Sequence, residues 1–167
     1  MIVRPERPAD IAAVYAVNEA AFGTRAEADL VDALRRQASP MVSIVAEEDG
    51  AICGHVCFSP VTLDGRQDLS IMGLAPMAVA PHRQRRGAGS ALARAGLEAC
   101  RRLGAHAVVV LGHAEYYPRF GFQPASRFGL RSDYDVPDEV FMALELKPGA
   151  LDGATGTIHY HPAFANV

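Results

Sequence analysis

The chain has 167 residues, enough to bury one substantial core and within the usual size of a single domain. Half of the residues are hydrophobic and 21% are charged, a globular balance that excludes a disordered or fibrous protein. A formal net charge of -3 gives no overall field for nucleic acid or an anionic membrane, so any anion site must be local.

No apolar run reaches the roughly 18 residues of a spanning helix, and the amino terminus is charged by its fourth residue, so a cytoplasmic protein without membrane contact is expected. The three cysteines, Cys53, Cys57 and Cys100, form no CxxC pair and read as buried thiols, with Cys53 and Cys57 on one strand face.

In chain order, Ile2 to Arg4 reads as a strand feeding a helix over Ala9 to Phe22, whose apolar positions Ile11, Val14, Tyr15 and Ala21 have helical spacing. Thr24-Arg25-Ala26-Glu27 is a capping-box pattern ahead of a second helix, with Leu30, Val31 and Leu34 on one side. Met41 to Glu48 and Ala51 to Leu63 are extended runs around the hairpin dipeptide Asp49-Gly50 and should pair antiparallel. Leu69 to Val79 returns as a third strand of this group, and Pro76 predicts a weakened ladder there.

Past Pro81 the sequence turns to HRQRRGAG, and Ser90 to Leu103 is an amphipathic helix closed by Gly104. Ala107 to Leu111, with Val108, Val109 and Val110 consecutive, reads as a buried parallel strand. Glu115 to Phe120 suits a short helix, and weaker extended stretches follow at Phe128 to Leu130 and Val140 to Leu146. The last residues, 147–167, read as a carboxyl-terminal extension packed on the same domain, with one strand at Thr157 to Tyr160.

The arginine-rich turn before the long helix has a physical use. Free N–H groups and the positive helix end attract an anion, Gly87 and Gly89 let phosphate oxygens approach the backbone, and Arg83, Arg85 and Arg86 add charge. The turn lacks the GxxxxGK of an ATP-binding loop and the GxGxxG of a dinucleotide fold.

Gln84-Arg85-Arg86-Gly87-Ala88-Gly89 resembles the acetyl-CoA signature Q/R-x-x-G-x-G/A of the GNAT family of N-acetyltransferases. The inferred order β-α-α-β-β-β-α-β-α-β-β over 1–146 is that family's order, and Gly112 to Phe122 is a second matching segment, similar to its Tyr-x-x-x-Gly-Phe stretch. Tyr116 to Phe122 further resembles a bacterial subgroup, the YhbS-like acetyltransferases. The resemblance implies a mixed α/β sheet with splayed central strands, an acyl-CoA N-acyltransferase fold over residues 1–146, and acetyl-CoA as cosubstrate.

By that resemblance, Met77, Ala78 and Val79 hold the pantetheine arm through their backbone, while Gln84, Arg85, Arg86, Gly87, Ala88, Gly89 and Ser90 hold the pyrophosphate. His113 and Phe120 line the cofactor crevice, and Tyr117 donates a proton to the departing sulfur, with Tyr116 the neighbouring candidate. The acidic residue usual on the strand before the signature is missing from Gly73-Leu74-Ala75-Pro76-Met77, so Glu27, Glu19, His55, Ser59 or water is left for the general base, with Glu27 and His55 leading.

His159 and His161 lack a third ligand, and no metal is expected. A small-molecule amine or a peptide or protein amine is the expected acceptor, its identity and the acyl length open, and an exposed sheet edge allows a homodimer. Two other functions compete. One is a non-catalytic CoA-binding module on the same fold, and the other an RNA-binding module built on Arg83, Arg85, Arg86, Arg101 and Arg102, disfavoured by the missing aromatics and net negative charge.

Overall fold

The computed structural model describes every residue from Met1 to Val167. The chain falls into two compact units: Met1–Ser59, Ala75–Ala99 and Pro162–Val167 make up the first, Pro60–Leu74 and Cys100–His161 the second.

In the first unit, β1 (Ile2–Pro5) pairs antiparallel with β2 (Val42–Glu48), and β2 pairs antiparallel with β3 (Ala51–Leu63) from Val42↔Phe58 to Glu48↔Ala51. The turn between β2 and β3 is the expected one, since Asp49 and Gly50 both take positive φ, 54° and 78°, as a tight right-twisted hairpin requires. A 3-10 turn at Pro8–Asp10 leads into α1 (Ile11–Phe22), and α2 (Ala26–Gln37) follows after Gly23 ends α1 with φ 75°. Val14 of α1, Val31 of α2 and Val45 of β2 meet in one buried cluster, so the helical spacing of the apolar residues is spent on the sheet face.

The expected capping box does not form. Arg25, not Thr24, precedes the first helical residue, yet the Thr24 hydroxyl still accepts from the Ala26 N–H at 3.3 Å and donates to Glu27 at 3.2 Å.

β4 (Ile71–Val79) leads to α3 (Ala88–Arg102), whose Gly96 admits the Phe58 ring of β3. A Cβ at Gly96 would stand 2.0 Å from Phe58 Cε1, so this helical glycine is a packing requirement.

In the second unit, β4 pairs parallel with β5 (Ala107–Leu111) over Ile71–Gly73 and Ala107–Val109 only, as the splay of the expected fold requires. β5 pairs antiparallel with β8 (Phe141–Glu145), which also takes β6 (Gln123–Pro124); β7 (Leu130–Ser132) runs parallel to β9 (Gly156–His159), and β9 also meets the end of β3. The core gathers Val61, Ile71, Val109 and Phe141 with Leu151, Ala154 and Ile158, so residues beyond Lys147 are built into it.

Three expectations change. The short helix at Glu115 to Phe120 is a 3-10 turn, Tyr117–Phe120, ended by Gly121 at φ 101°, because Pro118 lacks an N–H and glycine stops the turn. Ala125–Phe128 is likewise a 3-10 turn, and the strand starts only at Leu130. Pro76 does not interrupt β4; it lies beyond Gly73, the last residue paired with β5, so its missing N–H costs that ladder nothing.

Candidate active site

The first unit carries the arginine-rich turn expected to bind an anion. Beyond β4 the chain makes a 3-10 turn at Pro81–Arg83, extends at Gln84, and then takes positive φ at Arg85 (65°) and at Gly87 (88°) before α3 begins at Ala88. The Ala91 N–H donates to the Gly87 carbonyl at 3.0 Å where the helix opens. Gln84, Arg85, Arg86 and Gly87 are exposed.

Two side chains build the turn. The Gln84 amide donates to the Val79 carbonyl at 3.1 Å, which occupies an acceptor expected to be open on β4. Arg83 is bound to Glu48, with Asp49 at 3.8 Å, so this arginine is an anchor and Arg85 and Arg86 are the accessible charges. Met77 and Val79 alternate with buried Ala78, which puts both on one half-exposed face of β4.

The second unit carries Tyr117 in the 3-10 turn, buried, with its ring edge-on to Phe122 at 5.7 Å and to Tyr116 at 5.1 Å. Its ring lies over Gly112, where a Cβ would come within 2.3 Å of Cε2. Burial, with a smaller contribution from Tyr116, pushes the Tyr117 hydroxyl up to about 12, so it stays protonated at neutral pH. Phe120 is half-buried with its ring tilted 6.2 Å from Tyr117, and His113 is exposed, its carbonyl accepting from the Tyr116 N–H at 3.0 Å.

His55 is corrected by its surroundings. It has no exposed surface, its Nδ1 lies 3.1 Å from Asn18 Nδ2 and its Nε2 2.8 Å from Ser43 Oγ. Asn18 can only donate through Nδ2, so His55 Nδ1 accepts and its proton sits on Nε2, bonded to Ser43. Desolvation, then Arg35, depresses it to about 3. A neutral imidazole locked at both nitrogens is a structural element and not a base. Ser59 is equally enclosed, whereas Glu27 is half-buried and Glu19 is paired with Arg25 at 3.1 Å.

The sign of the His55 effect follows from that shift. The unfolded chain takes up this proton near the ordinary value of 6.5, and the folded chain only near 3, so stability is full above 6.5 and declines as pH falls toward 3. In urea unfolding between pH 6 and pH 4, His55→Gln should remove a slope of up to about 1.4 kcal/mol per pH unit. An unchanged slope would mean that His55 charges without cost.

Sequence reasoning missed Asn18 and Ser43, since nothing local marks either as a histidine partner. His159 lies between Asp64 and Asp133, 3.0 Å from each, and both carboxylates raise its pKa. No group of three His, Cys, Asp or Glu side chains is placed to hold a metal ion, and no helix is long and apolar enough to cross a membrane.

Comparison with known proteins agrees with this geometry. The profile of the Acetyltransferase (GNAT) family matches residues 11–122. The uncharacterized N-acetyltransferase YhbS of Escherichia coli K12 is 36% identical over 165 residues, covering 98% of each chain, and YjhQ of the same organism is 39% identical over 153 residues, covering 86% of this chain and 84% of its own. The crystal structure of E. coli YhbS in complex with CoA superposes with a TM-score of 0.91 at 35% identity over 98% of this chain and 91% of its own. A Brucella melitensis GNAT acetyltransferase in complex with acetyl-CoA gives 0.80 at 39% identity, over 98% and 97%. The chain belongs to the GNAT family of acetyltransferases.

Proposed function

We propose that the protein transfers an acetyl group from acetyl-CoA to a primary amine, which attacks the thioester directly in a ternary complex. The observation that carries this reading is the paired left-handed turn at Arg85 and Gly87 opening α3, an anion cradle on a chain of an acetyltransferase family. The relatives solved with CoA and with acetyl-CoA support the same cosubstrate here.

The pyrophosphate takes the N–H groups of Gly87, Ala88, Gly89 and Ser90 and the charges of Arg85 and Arg86. The Met77 backbone and the Val79 N–H are offered to the pantetheine amides, with Ala78 between them, and His113 and Phe120 of the second unit are cofactor contacts in the same reading. One N–H of this strand polarises the thioester oxygen.

Attack forms the N–C bond, the C–S bond breaks, and the sulfur receives a hydrogen bond and then a proton from the Tyr117 hydroxyl. A phenol near 12 gives up a proton to an ordinary thiolate, near 8.5, only uphill; the same desolvation raises the thiol as well and narrows that gap. Glu27, a half-buried carboxylate in the first turn of α2, receives the amine proton directly or through water and releases it to solvent, and solvent returns a proton to Tyr117.

The decisive assay is thiol release from acetyl-CoA against benzylamine, spermidine, glucosamine, kanamycin, an alanine-initiated peptide and a lysine peptide. Turnover with one of them supports the reading. CoA binding without turnover on any would favour a non-catalytic CoA-binding module.

The turn itself yields a separable prediction. Arg85→Gly and Arg85→Ala both remove the charge and should weaken CoA binding several-fold in a salt-dependent way, read by calorimetry. Only glycine accepts φ 65° without strain, so Arg85→Gly should be the more stable of the two by about 1 kcal/mol in thermal unfolding.

A further inference from the structure

We propose that Glu48, the last residue of β2, is a positioning residue for CoA: by holding Arg83 it keeps the turn into α3 in the shape that receives the pyrophosphate. This rests on the cosubstrate reading given above. Every group involved belongs to the first unit.

The turn contains a strained residue. Arg85 stands at φ 65°, a conformation that side chains other than glycine avoid, so the chain leading to it must be fixed from outside. Several ties do this. The Ala80 N–H donates to the Cys53 carbonyl at 2.8 Å, the Arg83 N–H to the Ala80 carbonyl at 2.8 Å, and the Gln84 amide to the Val79 carbonyl at 3.1 Å. The first fastens only the start of the turn to β3, and the other two stay within Val79 to Gln84. The Glu48–Arg83 pair joins the far side of the 3-10 turn to the β2–β3 hairpin, two residues before the strained position.

The hairpin is shaped for this contact. Ala46 faces Gly54 and Glu47 faces Ile52, so Cys53 is an extra residue on β3, and beyond this bulge Glu48 stands opposite Ala51. The neighbouring carboxylates are disposed differently. Glu47 is committed to Arg4 at 3.0 Å, and Asp49, at the tip, stays 3.8 Å from the Arg83 guanidinium. The pair is also partly shielded, with 23% of the Arg83 and 30% of the Glu48 side chain exposed, whereas Arg85 and Arg86 are exposed. An arginine neutralised in this way adds little attraction for a phosphate and serves to fix the chain.

Positioning and plain electrostatics predict opposite signs. If charge alone mattered, removing Glu48 would release a third arginine beside Arg85 and Arg86 and tighten CoA binding, most of all at low salt. If Glu48 holds the turn, its loss lets Arg85 leave the left-handed region, and the apparent affinity falls with the fraction of molecules still in the receiving shape.

The test measures CoA binding by calorimetry, at low and high salt, for wild type, Glu48→Ala and the charge-neutral double variant Glu48→Ala/Arg83→Ala. The expected result is a dissociation constant raised about fivefold in both variants, with a salt dependence no steeper than that of wild type. With an amine that turns over, kcat at saturating acetyl-CoA should be unchanged in Glu48→Ala. Circular dichroism checks that each variant is folded at the assay temperature. Glu48→Gln, close in size to the native side chain, repeats the measurement without opening a gap, and the same direction is expected.

Affinity that is tighter, or within about twofold of wild type, in Glu48→Ala and Glu48→Gln overturns the proposal. A steeper salt dependence also overturns it, since Arg83 would then reach the phosphates itself. So does a kcat that falls in parallel or partial unfolding at the assay temperature, because a general loosening of the fold would do the same. A wild type that binds CoA yet acetylates no amine sinks the transfer reading alone, and the calorimetry still decides this one. A wild type that does not bind CoA sinks both.

Discussion

Tyr117→Phe should lower kcat for acetyl transfer by about a hundredfold or more, the usual size of a lost proton donor, while the dissociation constant for acetyl-CoA stays within about twofold. The ring that packs against Gly112 and Phe122 is kept, so the substitution removes an oxygen and little else. Tyr116→Phe is the control, because Tyr116 is only half-buried where Tyr117 is buried. Gly112→Ala approaches the same group from the other side. Its methyl would press to 2.3 Å from Tyr117 Cε2, so the ring must move and kcat should fall although no polar atom has been deleted. Steady-state thiol release with saturating amine measures all three variants. A fully active Tyr117→Phe would leave the sulfur to be protonated by solvent.

Gly96→Ala should destabilise the protein by about 1–3 kcal/mol, and here two effects oppose each other. Alanine gains about 1 kcal/mol over glycine in a helix interior. Against this, its Cβ would lie 2.0 Å from Cε1 and 2.6 Å from Cζ of Phe58, a side chain with no exposed surface and no open solvent to swing into. The clash prevails because an aromatic ring cannot yield as the end of a flexible chain would. Urea unfolding measures the loss, and Phe58→Leu supplies the second arm of a double-mutant cycle. With the ring gone the alanine penalty should shrink or reverse, a coupling between neighbours in contact.

What could be seen in the sequence was whatever depends on near neighbours. Asp49-Gly50 marked the β2–β3 hairpin because both residues accept positive φ, and the valine run marked β5 to its two ends, Ala107–Leu111. The turn into α3 was legible as glycines and arginines at a helix start. What was hidden depends on distant partners. His55 reads alone as a candidate base, and only Asn18, on α1, and Ser43, on the adjacent strand, make it a buried neutral ring. Arg83 looks like a phosphate ligand until Glu48 is brought to it from the hairpin. Tyr160 carries no local signal at all, since its relation to Gly73 exists only once β9 has paired with the end of β3. Gly73 and Gly96 likewise carry no sign in the sequence that each leaves space for a ring.

The integration of the carboxyl-terminal residues sets where the protein can be cut. The region matched by the family profile stops at 122, yet β8 supplies all five antiparallel partners of β5 from beyond that point. Chain shortened to the recognisable signature would leave a valine-rich strand with a bare hydrogen-bonding edge, a template for aggregation. Trimming only the last stretch would withdraw Leu151, Ala154 and Ile158 from the second unit's interior. Expression boundaries, affinity tags and fusion joints therefore belong outside Ile158, and the recognisable segment is not a portable module.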